Sequence, residues 1–413
     1  MERVSAQPLR LGTPAAEAPT RGAERTGRRL SALDGLRGVA ALVVLLHHTL
    51  AVAEPHLRAS DEGTRAALWG WLSASPLKLF TAGGEAVVLF FVLSGLVVAL
   101  PALRGGFSWA GFLASRFVRI MVPVWGSLVV ACALVVAIPR DPGAFPGGWL
   151  VDNNAATLVG SELVAEATLG KYSYEINNVL WSLRWEMLFA LLLPLFVLGA
   201  RATRRGWLPA GLLALAASVV GFTVGDGTLS YLPAFFIGTL IAVRLDDLQD
   251  WGRRVSGTRA FRIGWPIALA ASLLGFIATW LVRPMLGAGG IAETLRAASV
   301  ISSAVLIVLA IVAAPVVRVL SGRLCAWLGK ISFSLYLVHV PVLVAIAYLL
   351  GDEDWWIAVL LAPPAGIGAG YLFWRFVERP SHSLARRLGR LVGGAVRERR
   401  SSPEPPVNAV SSR

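Results

Sequence analysis

Residues 33–50 read LDGLRGVAALVVLLHHTL, an apolar stretch carrying one acid, one arginine and two adjacent histidines. At 100° per residue, a helix places Arg37 and His48, eleven residues apart, about 20° from each other around its axis. Asp34 falls about 40° from His48 on the other side, whereas His47 points roughly 80° away from Arg37. Asp34, Arg37 and His48 therefore share one polar stripe, and His47 sits off it. A charge at mid-bilayer costs roughly 2.5–3.5 kcal/mol, so such a stripe must face protein or a cavity. The plainer alternative is a satisfied buried histidine with Arg37 snorkelling to the near interface.

The chain of 413 residues is 56% hydrophobic and 15% charged, with a mean hydropathy of +0.66. Soluble domains hold about 25% charged residues, so this is an all-α, polytopic membrane helical bundle. Cys132 and Cys325 fall in or beside apolar segments and suggest neither a disulfide framework nor a metal site. The two adjacent histidines lack metal-ligand spacing, HExxH and CxxC are absent, and no metal is expected. No GxSxG elbow or phosphate-cradling glycine loop is present either. The first apolar segment carries Asp34, Arg37, His47 and His48, unlike the plain core of a cleavable signal peptide.

Residues 1–30, rich in Ala, Pro and Arg, read as a disordered basic cytosolic tail. A membrane domain over 31–382 follows, with ten spans near 33–53, 79–100, 116–138, 180–199, 207–224, 229–243, 263–282, 297–314, 331–350 and 355–376. Residues 383–413 read as a second basic tail, amphipathic at first and then disordered. With the N-terminus inside, the inner segments hold 29 Lys and Arg and the outer ones seven, while Arg37 and Arg184 lie within spans. That four-to-one bias supports cytosolic N- and C-termini and an even number of spans. The +13 net charge is thus a topology signal, and nucleic acid is a poor partner.

His48 and Glu186 lie at similar depth, roughly 8 and 9 Å below the outer ends of the first and fourth spans. A carboxylate beside an imidazole orients its tautomer, which suits a general base acting on a hydroxyl. The competing role for Glu186 is a structural pair with Arg184 or another basic group. Arg37 lies about 16 Å from His48 toward the cytosol, and Arg116 and Arg119 open the third span on that same side. Clustered arginines suit phosphates through bidentate bonds, although positive-inside topology demands such arginines anyway. Ser94 and Gly95 read as a close-packing pair, Glu85 as a solvated surface acid, and Glu378 as a cap or charge partner. His339, followed by Pro341, falls at mid-depth of the ninth span. The long connection 139–179 could fold back over the outer face as part of a pocket or stand as a plain solvated loop.

DGLRGVAALVVLLHH, FFVLSG, RFVRI, WSLRWE, ISFSLYLVH and VERP stand in the order and spacing of the acyltransferase-3 family. The chain resembles these integral-membrane O-acyltransferases over residues 31–382. The resemblance implies ten core spans and transfer of an acyl group, commonly acetyl, from cytosolic acyl-CoA to a hydroxyl of a carbohydrate or other acceptor. It assigns the family's essential arginine and histidine to Arg37 and His48, its RxxR pair to Arg116 and Arg119, and its WSL-x-x-E glutamate to Glu186. Many members carry an aspartate just before LFFVLSG; here that position is Val88, with Glu85 three residues earlier.

The resulting expectation is a plasma-membrane (inner-membrane) acyltransferase. His48 is the catalytic base, oriented by Glu186 or Asp34, and Arg37, Arg116 and Arg119 hold the CoA phosphates. Trp181, Ser182 and His339 are the candidate acceptor contacts. The expected partners are the lipid bilayer, acyl-CoA (acetyl-CoA) and a hydroxyl acceptor such as an envelope polysaccharide, a glycolipid or a glycosylated metabolite, with a homodimer left open. The alternative is a multi-pass transporter or flippase using its buried charges as a relay.

Overall fold

The computed structural model describes residues 21–58, 63–170, 174–287 and 290–401, with side chains from 31 to 395 within those stretches. Among them there is no strand. The long helices are α1 (Arg21–Arg58), α2 (Gly83–Ala102), α3 (Trp109–Ala137), α4 (Leu180–Ala202), α5 (Trp207–Val224), α6 (Gly227–Val243), α7 (Arg259–Phe276), α8 (Ala298–Val312), α9 (Arg323–Leu350), α10 (Trp355–Phe373) and α11 (Arg379–Ser401). Eight helices are long and apolar enough to cross a membrane, or up to ten when each of two bent pairs counts as one span. All ten expected spans fall on these elements.

Two spans are bent, the first of them where the sequence turns charged. α6 turns by 65° into Leu245–Val255, where Asp246, Asp247, Asp250, Arg253 and Arg254 hold the segment to a polar surface. α7 turns by 49° at Ile277 into Ala278–Leu286, so the span expected near 263–282 is a bent pair of helices.

α1 and α9 form the middle of the bundle, pressed together by glycines. A Cβ on Gly38 would lie 2.4 Å from the backbone nitrogen of Gly329, and one on Gly329 would lie 2.1 Å from the carbonyl oxygen of Asp34. A residue larger than glycine cannot enter without separating the helices. α2 and α6 cross in the same way, with Gly95 against the Phe235 carbonyl and Gly238 against that of Val92. α5 stands at the periphery, exposing Leu208, Leu212, Leu213 and Val224 as a lipid-facing helix does.

Two features differ from the sequence reading. Helical backbone covers residues 21–30 and runs on to Ser401, so helix extends into both expected tails, whose outermost parts lie outside the described residues. The reason at the C-terminal side is packing: Gly389 and Gly393 of α11 lie against Gly111 and Ser108 at the start of α3. Glu85 is the second difference, since it is 6% exposed and accepts the indole N–H of Trp280 at 2.9 Å instead of facing solvent.

The connection 138–179 is built rather than loose. Glu166, fully buried, accepts the backbone N–H groups of Glu175, Ile176 and Asn177 at 2.7, 2.8 and 3.0 Å. Burial pushes its carboxyl above the usual range and those three donors oppose the shift. Asn177 then donates to the Leu337 carbonyl of α9 at 2.9 Å, which ties the loop to the bundle.

Candidate active site

His48 is buried in α1, and its Nδ1 lies 3.1 Å from the Val44 carbonyl and 3.0 Å from Nε2 of His339. Nδ1 of His339 faces two carbonyls, Leu335 at 3.0 Å and Tyr336 at 2.9 Å, so that nitrogen carries the proton. Nε2 of His339 is then an acceptor, and Nδ1–H of His48 donates to it. This assignment follows from the hydrogen bonds. It leaves Nε2 of His48 with its lone pair, the nitrogen a general base needs.

A cavity of about 340 Å³ opens at His48, walled by Trp149, Trp181, Tyr174, Asn178 and Tyr336 among others. The loop 138–179 does fold back over it. Trp149 sets its ring 4.9 Å from that of His48, and Asn153, Tyr174 and Asn178 complete that wall. Trp181 lines the cavity as expected. Ser182 is buried one layer behind, 2.7 Å from the Tyr336 hydroxyl. His339 acts on His48 rather than on the cavity.

Two expected carboxylates do not reach His48. Glu186 takes the guanidinium of Arg116 and, at 3.1 Å, the hydroxyl of Ser94, so the structural pair with a basic group is the one formed. The error lay in inferring facing from equal depth; the azimuth of α4 turns Glu186 toward α3. Asp34 is fourteen residues before His48, about 21 Å down the same helix, beyond the reach of any side chain. Its charged neighbours are Arg37 and Arg119.

Those residues belong to a second polar centre at the end of the bundle where α1 begins. Arg37, Arg116 and Arg119 lie within electrostatic reach of one another, with Glu378 and His382 beside them. Glu378 accepts the Ser334 hydroxyl at 2.5 Å and stands 3.5 Å from His382. The three arginines thus converge as the sequence suggested. Of these three arginines, Arg116 alone has a direct ion pair with a carboxylate among the described residues, which leaves Arg37 and Arg119 to meet an anion.

Trp149, Tyr336 and Ser94 were missed as site residues. Tyr336 had a signal, lying three residues before His339 and so on the same helical face. Ser94 had a weaker one, a hydroxyl in an otherwise apolar span. Trp149 had none beyond its place in the connection. Val88 is buried among apolar side chains, so no carboxylate occupies that position. No cluster of metal-ligating side chains occurs among the described residues.

Comparison with known proteins gives one family. The acyltransferase domain model (Acyl_transf_3) matches residues 30–375. Among the relatives, the "Acyltransferase MdmB" of Streptomyces mycarofaciens is 29% identical over 393 residues, covering 88% of this chain and 93% of that protein. The "O-acetyltransferase PaAT-1" of Phomopsis amygdali is 26% identical over 388 residues, 77% of this chain and 73% of its own. No solved structure matches. The match spans every element that carries the two polar centres up to Arg375, and the chain belongs to the acyltransferase-3 family of integral-membrane acyltransferases.

Proposed function

We propose that this enzyme moves an acyl group, acetyl first among the candidates, from acyl-CoA to a hydroxyl of a carbohydrate or glycosylated acceptor, in the plasma membrane. The observation that carries the reading is the protonation order along the His339–His48 pair, which leaves an imidazole lone pair on His48, a residue that lines a cavity. Nε2 of His48 takes the acceptor's hydroxyl proton as its oxygen bonds to the thioester carbonyl carbon. The carbon–sulfur bond then breaks, and the CoA thiolate recovers that proton from the imidazolium. His339 steadies the charged ring by accepting from Nδ1.

Arg37 and Arg119, with Arg116 beside them, suit the CoA phosphates. Arg37 lies about 16 Å along α1 from His48, a span that an extended pantetheine arm would bridge. The termini and this arginine centre would then face the cytosol, where acyl-CoA is found.

The test is transfer or hydrolysis of labelled acetyl-CoA by the purified protein in nanodiscs, beside His48→Ala. Consumption by the wild type and its loss in a folded His48→Ala protein are expected. Full activity in that variant overturns the base, and a wild type that neither binds nor consumes acyl-CoA returns the transporter reading.

A further inference from the structure

A second, larger cavity of about 690 Å³ opens beyond His47, away from the arginine centre. Its walls include Trp69, Lys78, Trp280 and Arg283, with Glu54 and Arg58 at one side. His47 belongs to the wall of both cavities, and its ring centroid is 5.1 Å from that of His48. Nδ1 of His47 donates to the Thr81 carbonyl at 3.0 Å. Gly83 makes the room, since a Cβ there would fall 2.5 Å from the His47 ring. The partition between the cavities is therefore one side chain thick.

The chemistry of the larger cavity is cationic and aromatic. Lys78 is only 4% exposed, and its ammonium stands 3.9 Å from the centre of the Trp280 ring. The Arg283 guanidinium lies 5.4 Å from the same ring. Glu85 fixes that ring through its indole N–H, while Glu54 is taken by Arg58 at 3.0 Å. Among the described residues, neither Lys78 nor Arg283 has a carboxylate at ion-pair distance. Two cations crowded on one indole repel each other. Burial lowers the proton affinity of Lys78, Arg283 adds to the effect, and Glu85 and Glu54 oppose it. An anion bridging the pair would relieve both costs.

We propose that this cavity binds an anionic group, carboxylate or phosphate, carried by the hydroxyl acceptor, with Lys78 and Arg283 as its ligands. Trp69 supplies an aromatic wall for the acceptor ring, Trp280 being taken by the two cations, and the acceptor's hydroxyl passes His47 to reach His48. The acceptor class is thus an acidic or phosphorylated sugar, free or lipid-borne. This assignment rests on the acyl-transfer reading only for the word acceptor; the anion site stands on its own.

The experiment is calorimetric titration of the full-length protein in zwitterionic nanodiscs, without acyl-CoA, using glucose, glucosamine, glucuronate and a glucose phosphate. Saturable binding of the two anions, and at least about tenfold weaker binding of glucose and glucosamine, is expected. Lys78→Gln and Arg283→Gln should each weaken the anions by at least about tenfold, and Lys78→Arg should restore them. Arg283 is partly exposed, so its variant keeps the test open should Lys78→Gln fail to fold. No saturable anion binding, equal binding of glucose, or binding indifferent to both substitutions overturns the proposal. Repeating the titration in phosphatidylglycerol nanodiscs at high salt separates the sources. Competition by the lipid means a lipid-borne anion, and unchanged binding means a soluble one. Because acyl-CoA is absent, failure of acyl transfer and failure of the anion site are read separately.

Discussion

His48 and His339 meet at 3.0 Å, each ten residues beyond a glycine of a second contact, Gly38 against Gly329. Two parallel helices that touch at one level touch again about 15 Å further on if their registers agree. The glycine contact therefore sets the histidine pair. The small residues of DGLRG and LGK are thus the device that aligns His48 with His339.

Gly38→Ala tests that coupling. The added Cβ meets backbone at 2.4 Å, so α9 must move away from α1 rather than a side chain swing aside. A stability loss of about 1–3 kcal/mol is expected. Acyl transfer should fall further than stability alone explains, because a shift well under 1 Å already lengthens the histidine hydrogen bond. Thermal unfolding in detergent, read beside turnover at a temperature where the variant remains folded, decides this. Wild-type turnover in a destabilised Gly38→Ala protein would uncouple the two contacts.

His48→Ala should reduce transfer by about 10²–10⁴-fold, the usual worth of a positioned base. His47→Ala should cost far less, because its Nδ1 is committed to the Thr81 carbonyl and its ring lies off the polar stripe. Equal losses in the two variants would place both histidines in the proton path.

His339→Ala removes the acceptor that fixes the His48 tautomer while leaving the base in place. A fall in kcat of about ten- to hundredfold with little change in the KM for acyl-CoA is expected. His339→Gln offers an amide oxygen near the lost nitrogen and should recover part of that loss. A purely structural role would give no such recovery and would move kcat together with stability.

The helical skeleton was legible because a membrane span writes itself in composition: twenty apolar residues have few other fates. The polar stripe on α1 was legible for the same reason, since eleven residues return a helix to almost the same azimuth. Partnerships between helices were not. Equal depth put Glu186 beside His48 on paper, but the rotation of α4 about its axis, which no single-helix pattern reveals, turned it to Arg116. His339 carried the converse error, being read as an acceptor contact because nothing in one sequence says which helix lies against α1. Trp149 came from a loop whose path is fixed by the buried Glu166, an acid that looks like any other in the sequence.

Glu166→Gln should loosen that loop without touching the histidines. An amide keeps one oxygen but loses the charge that binds three backbone donors, a loss of about 1–3 kcal/mol. Trp149, Tyr174 and Asn178 then lose their fixed places around the cavity. The expected signature is a raised KM for the hydroxyl acceptor and earlier proteolytic cleavage between residues 139 and 179, with acyl-CoA binding intact. Protection from protease equal to the wild type would mean that the Asn177 link to α9 holds the loop alone.

The Arg116–Glu186 pair decides between two accounts of Glu186. If Glu186 served His48, Glu186→Ala would resemble His339→Ala, with kcat reduced and KM preserved. Its contacts with Arg116 and Ser94 argue otherwise. Removing the carboxylate frees Arg116 from its partner and misplaces one member of the arginine centre, so the KM for acyl-CoA should rise more than kcat falls. Arg116→Ala should do the same. The double variant should then cost less than the sum of the two singles, with a coupling of about 0.5–3 kcal/mol. The side chains are 12% and 21% exposed, so solvent screens part of the attraction and the lower half of that range is expected. Strict additivity, or a Glu186→Ala protein defective in kcat alone, would move the glutamate from the donor site to the chemistry.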